Sequence, residues 1–281
     1  MTYLAASLMG ILQGIAEFLP ISSSGHLALF QHYFGMEDFE STQLFFSVML
    51  HFGTLISVFV YYWHDILDMI REFFGMLGDL FSRGKKGSGG AVPEARRLVL
   101  LIIVATLPLF LVLPVKDFIE EATGSVTFVS IALIATGFLL FFSDRMAKGR
   151  KNAKNATVAD ALIVGLAQGI GTLPGISRSG ITISTGMLRG YERSFAVRFS
   201  FLMSLPAVIG ATILELKDAI ELGLDPAILP YCAVGVAVSA VVGYFAIRLV
   251  NLLASKGKFG AFAYYCWAAG VISLTAGFIV K

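Results

Sequence analysis

Two short stretches of this chain carry residues that apolar sequence normally leaves out. The first reads Gln13-Gly-Ile-Ala-Glu17, then Pro20-Ile-Ser22-Ser23-Ser24-Gly25-His26. The second reads Pro174-Gly175-Ile176-Ser177-Arg178-Ser179-Gly180, with Thr172 just ahead of it. Ionisable groups in apolar surroundings are costly, so each one points to function. Arginine presents a planar fork of donors that suits phosphate, and it keeps its charge. Serine hydroxyls and glycine-opened backbone N–H groups ahead of a helix form an anion-binding nest. The set therefore reads as an oxyanion or phosphate cradle. His26 suits a nucleophile or general acid/base near neutral pH. Glu17 suits orienting that histidine or holding a divalent metal. An ion pair of Arg178 with Glu17 that simply joins the two stretches is a compatible second role. Ser22, Ser23 and Ser24 cannot all be catalytic, and small residues also allow close helix approach in lipid. His51 fits packing as well as chemistry; His32 and His64 read as packing residues.

The elements that must position these residues are membrane helices. Of 281 residues, 57% are hydrophobic and 14% charged, and the mean hydropathy is +0.80. Soluble domains carry about 25% charged residues. Six apolar stretches, near 42–63, 98–115, 125–143, 197–215, 228–249 and 259–280, are long enough to cross a bilayer. The fourth is the weakest, because Arg198 sits at its start. The regions about 3–35 and 158–190 are apolar but broken by Gly, Pro and polar residues. The first of them lacks the basic n-region and cleavage site of a signal peptide. Cys232 and Cys266 read as small packing residues, and no CxxC or His/Cys cluster suggests zinc or iron–sulfur.

Residues 10–25 and 165–180 align without gaps, and eight positions are identical, including Gln13/Gln168, Ser22/Ser177, Ser24/Ser179 and Gly25/Gly180. This reads as an internal duplication. Three spans follow each copy, so the second copy should enter the membrane from the opposite side. Segments 64–97, 144–157, 186–198 and 248–258 carry 17 of the 21 Lys and Arg residues. The other flank holds Lys116, Lys217 and Lys281. That asymmetry puts the basic segments in the cytoplasm and both termini outside, in a bacterial inner membrane. Apart from Arg178, no Lys or Arg falls inside the predicted membrane core, and none precedes Arg71.

The expected fold is an all-α polytopic membrane protein. It has six transmembrane helices plus two re-entrant helical hairpins in an inverted-topology repeat, one domain over 1–281 with halves of about 1–145 and 155–281. Segments 64–97 and 144–157 are expected to be cytoplasmic loops, with 84–92 a flexible linker. Broken segments at matching places in inverted halves point to a midplane site, and non-helical backbone at that depth must line a cavity or be buried. The tips 20–26 and 174–180 should therefore meet. Membrane lipids are the expected surroundings, no nucleic-acid motif is present, and the reading leaves room for a homodimer.

At these motifs the sequence resembles the bacterial undecaprenyl-diphosphate phosphatases, a family also linked with bacitracin resistance. That family carries (Glu/Gln)xxxGlu running into PxSSxGH, and a second element of PGxSRSG type. The resemblance covers essentially the whole chain. It implies hydrolysis of a C55 isoprenoid pyrophosphate to the monophosphate and inorganic phosphate, which recycles the lipid carrier of peptidoglycan and other cell-wall polymers. It implies catalytic roles for Glu17 and His26. Ser23 becomes a nucleophile or phosphate ligand, and Arg178 the pyrophosphate binder. Ser22, Ser24, Gly25, Ser177, Ser179 and Gly180 line the substrate pocket. It also implies a divalent cation, Mg2+ or Ca2+, at Glu17 together with Gln13, a residue that leaves Glu17 as the sole carboxylate of its hairpin. A lipid-phosphate flippase is the rival reading, since inverted repeats with broken helices serve transporters. A PAP2-type phosphatase is rejected, because no further His follows Ser177-Arg178 in the required pattern and nothing basic precedes Arg71.

Overall fold

The computed structural model describes residues 1–34, 40–81, 92–221 and 226–279. Among them the secondary structure is helical, without a strand. Helices α1 (Tyr3–Phe18) and α2 (Ser23–Phe34) form a first hairpin. Next come α3 (Glu40–Tyr61), α4 (Trp63–Phe81), α5 (Glu94–Thr106), α6 (Lys116–Thr123) and α7 (Val126–Met146). Helices α8 (Val158–Ile170) and α9 (Arg178–Leu188) form the second hairpin. The chain ends with α10 (Arg193–Glu221), α11 (Leu229–Ser255) and α12 (Phe262–Ile279).

Length separates the two kinds of element. At 1.5 Å per residue, the 16 residues of α1 and 13 of α8 rise about 24 and 20 Å, short of a hydrocarbon core of roughly 30 Å. Five helical segments are long and apolar enough to cross: Glu94–Val115, Val126–Met146, Arg193–Leu214, Pro226–Ser255 and Phe259–Gly277. Counted together as one span, Phe45–Tyr61 of α3 and Trp63–Asp79 of α4 make a sixth, with a bend of 86° between them. The expected all-α polytopic fold is therefore present.

Small residues let the helices approach. Gly10 and Gly14 of α1 sit against Gly235, Ser239 and Gly243 of α11, where an added Cβ would fall 2.9 Å from the Gly235 and Ser239 carbonyl oxygens. Gly165 of α8 meets the backbone of Ala105 in α5 more closely still, at its carbonyl oxygen. Without a hydrophobic force between helices in lipid, such backbone contact is a main source of cohesion. So α1 leans on α11, and α8 leans on α5.

Two expectations change. Most of 64–97 is not loop, because α4 takes up 63–81 and α5 starts at Glu94. The reason is a one-sided apolar stripe, Trp63, Ile66, Ile70, Phe73 and Leu77, which a helix can place along one face. The proposed linker 84–92 lies, except for Val92, outside the described residues. The span expected at 98–115 is α-helical only to Thr106 and continues as 3-10 turns at Leu107–Leu111 and Leu113–Val115. Pro108 and Pro114 remove the amide donors that α-helix would need. The doubt raised by Arg198 is resolved by its partners: it pairs with Asp65 at 2.6 Å and Glu94 at 3.4 Å, at the end of the bundle that carries the basic segments.

Candidate active site

The hairpin tips meet. Both helix-starting turns are built alike. Ser22 Oγ accepts from Gly25 N (3.2 Å) ahead of α2, and Ser177 Oγ accepts from Gly180 N (3.1 Å) ahead of α9. These are N-cap bonds that satisfy otherwise orphaned amides. Gly25 lies on Gly175, where a Cβ would come within 2.8 Å of the Gly175 Cα. Ser22 (φ 69°) and Gly175 (φ 87°) both hold left-handed backbone at the tips, a strained choice for serine that marks a constrained turn. Gly175 is further tied to α7, since its carbonyl accepts from Thr136 Oγ1 at 3.1 Å.

Glu17 is the centre of the polar contacts. It is buried, with 7% of its side chain exposed. One carboxylate oxygen takes the Arg178 guanidinium from the other hairpin. The other accepts from Ser23 Oγ (3.2 Å) and from Gln13 Nε2 (3.2 Å). The Gln13 amide nitrogen also lies 3.0 Å from His51 Nδ1. Glu17, Ser22, Ser23, Ser24, His51, Gln168, Ser177 and Arg178 line one cavity of about 680 Å³. Ser179 is buried behind it, its Oγ 3.2 Å from Ser177 Oγ.

Away from these groups the cavity wall is apolar. It is made by Leu109, Phe110, Val112 and Leu113 after the end of α5, and by Pro206, Ala207, Val208, Gly210, Ala211 and Leu214 in α10, with Thr212 among them. Phe110 and Leu113 are each 66% exposed and Leu214 62%, so this wall continues onto the outer surface of the bundle. α5 runs from the end bearing the basic segments toward α6, so the cavity leads from the tips toward the α6 end.

His26 is not brought to this cavity. Its Nδ1 lies 2.8 Å from the Ser22 carbonyl and its Nε2 2.7 Å from Tyr265 Oη of α12, with the two rings stacked at 5.5 Å. The α2 start turns residue 26 toward α12, where Tyr265 partners its Nε2. His51 stands in the cavity instead. Its place could not be read from sequence spacing, because it comes from α3, 34 residues beyond Glu17. Gln168 was visible only as the aligned partner of Gln13, and the apolar wall carried no motif at all.

The implied divalent cation does not fit the donors present. Glu17 is the single carboxylate, and Arg178, Ser23 and Gln13 already engage both its oxygens. Gln13 turns its amide nitrogen, not its oxygen, toward Glu17. No group of three or more His, Cys, Asp or Glu suited to a metal exists among the described residues.

Fold and site together define a class: a polytopic all-α membrane protein with a Glu–Ser–Arg cluster, centred on the buried Glu17, at the tips of two re-entrant hairpins. Comparison narrows this. A model of the family described as "Bacitracin resistance protein BacA" matches residues 6–272, and the chain belongs to that family. It is 43% identical over 274 residues to a protein of Alkaliphilus metalliredigens named undecaprenyl-diphosphatase, covering 97% of this chain and 98% of the relative. Proteins of the same name from Halothermothrix orenii (42% over 265 residues, 94% of each chain) and Methanosphaera stadtmanae (40% over 274 residues, 96% of each chain) are similarly related.

Proposed function

We propose that this protein hydrolyses undecaprenyl diphosphate to undecaprenyl phosphate and inorganic phosphate. The observation that carries the reading is the contact of Glu17 with both Ser23 and Arg178 at the polar end of a cavity whose other walls are apolar. The names of the relatives support it. The isoprenoid lies along the apolar wall between the α5 end and α10, and the diphosphate reaches the tips.

Positioning and charge neutralisation supply most of the catalysis in phosphoryl transfer. The incoming diphosphate competes with Glu17 for Arg178, which suits bidentate phosphate recognition. Glu17, relieved of its cation, takes the proton of Ser23 through the hydrogen bond it already makes. Ser23 Oγ attacks the terminal phosphorus, and the bond to the bridging oxygen breaks. Undecaprenyl phosphate leaves, and the phosphoryl group stays on Ser23. Glu17 passes the Ser23 proton to the departing phosphate oxygen and is again a base when water attacks the phosphorus. It takes the water proton and returns it to Ser23 Oγ as the Oγ–P bond breaks and inorganic phosphate leaves. His51, through Gln13, holds the Glu17 carboxylate in place.

The two halves are read as inverted copies, which the reciprocal packing of α1 on α11 and α8 on α5 supports. With the basic segments cytoplasmic, the cavity opens to the outer face. Recycling of the carrier lipid for cell-wall polymers, and resistance to bacitracin, would follow from activity there. The test is phosphate release from C55 diphosphate by the purified protein in detergent, where transport has no meaning. Stoichiometric release supports the enzyme; none would leave the flippase reading.

A further inference from the structure

One polar side chain in the cavity has no part in the contacts above. Gln168, in the last turn of α8, is 1% exposed and lines the cavity. Among the described residues neither its Nε2 nor its Oε1 has a hydrogen-bond partner. A buried amide that has lost its hydration without replacement is unfavourable, and such groups in a folded protein call for an explanation. Its aligned counterpart Gln13 spends its amide nitrogen on Glu17 and His51.

The neighbours sharpen the contrast. Thr172, one turn on, spends its hydroxyl on the Gly169 carbonyl at 2.7 Å. Ser177 Oγ is used by Gly180 N and Ser179. Gln168 also sits close to the cationic end of the cluster. At Gly171 an added Cβ would lie 3.2 Å from the Gln168 carbonyl and 2.9 Å from the Arg178 Cα, so the end of α8 touches the start of α9 there.

We propose that Gln168 is a substrate-binding residue, whose amide N–H donates to a phosphate oxygen of the lipid diphosphate held by Arg178. An amide offers a donor and an acceptor side by side. A singly protonated phosphate offers the complement: an oxygen for Nε2–H and a P–OH for Oε1. A carboxylate at this position would face the phosphate as a like charge. The inference rests on the diphosphatase reading above and adds a residue to its site.

The test replaces the amide with an apolar side chain of similar length. Gln168→Met removes two unmatched polar atoms, so its unfolding temperature should equal or exceed that of the wild type. Its KM for C55 diphosphate should rise about tenfold, the loss of one hydrogen bond to a charged group, with kcat changed less than about threefold. Gln168→Glu should raise KM further. Wild-type KM and kcat in Gln168→Met would overturn the proposal and leave the diphosphatase reading intact. If the wild type itself releases no phosphate, that reading fails separately. Stabilisation by inorganic pyrophosphate then decides the role of Gln168. A thermal shift present in the wild type and reduced in Gln168→Met supports it, and equal shifts overturn it. Failure of both Gln168→Met and Gln168→Leu to fold would assign the amide to the fold and would also overturn it.

Discussion

The two hairpins share a turn and differ in what it presents. In each, a serine caps the returning helix from the same aligned position, Ser22 against Gly25 N and Ser177 against Gly180 N. A second serine lies beside each cap, at 3.5 Å for Ser24 and 3.2 Å for Ser179. The residue between them differs: Ser23 on the first hairpin, Arg178 on the second. Four residues after the shared glutamine stands Glu17 on one and Thr172 on the other. One scaffold thus delivers a carboxylate and a hydroxyl from one side and a permanent cation from the other. The contact between them crosses 161 positions of sequence. The same scaffold, charged alike on both sides, would repel itself or the substrate. The asymmetry is what turns a structural duplication into a site.

The sharpest way to break this comparison is to remove the cation. Arg178→Ala should lower phosphate release by at least a thousandfold, since the diphosphate loses its main charge partner and Glu17 is left buried without one. Arg178→Lys should recover only part of this, because an ammonium lacks the bidentate fork. Next comes Glu17→Gln, which keeps the shape but not the base. A loss of about 10² to 10⁴ in kcat is expected, along with loss of any phosphoryl-Ser23 detectable by mass spectrometry after rapid quench. If Glu17→Gln trapped phosphoserine at full yield, Glu17 would serve only the second step. A smaller effect separates the two histidines. His51→Ala should reduce kcat about tenfold by loosening Gln13 and Glu17, whereas His26→Ala should change it less than about threefold in the same assay. The reverse ranking would return chemistry to His26. The smallest effect concerns the shared turn. Ser177→Ala and Ser22→Ala should each cost about 1 kcal/mol of stability as lost caps, measured by thermal unfolding in detergent.

Particular residues show how far the sequence could be read. The span positions were legible because a bilayer demands long apolar runs, and five of the six expected stretches match the five candidate spans. One of these, 98–115, kept its place but lost its regularity to Pro108 and Pro114, and the sixth, 42–63, passes only as part of a bent pair with α4. The hairpins were legible because Pro20 and Pro174 break apolar runs too short to cross. Helix α4 was missed because its charges, Asp65, Asp68, Arg71, Glu72 and Asp79, read as a loop when counted and as one face of a helix when placed. Within the site, Glu17, Ser23 and Arg178 came from motif chemistry and do converge. His26 came from the same motif and does not, since one turn of helix is enough to aim a ring at Tyr265 instead of the cavity.

The amino-acid order was sufficient for the membrane setting, the two broken segments and the kind of anion their residues suit. Those properties follow from composition, run length and side-chain chemistry, all of which are local. It was insufficient for the place of His51 in the cavity and of His26 against Tyr265, the unmatched amide of Gln168 and the end toward which the cavity leads. Each of these depends on how α1, α3, α5, α8 and α10 pack together. Backbone approach at glycines such as Gly14, Gly25 and Gly165 sets that packing, and the distances it closes lie between residues far apart in the chain.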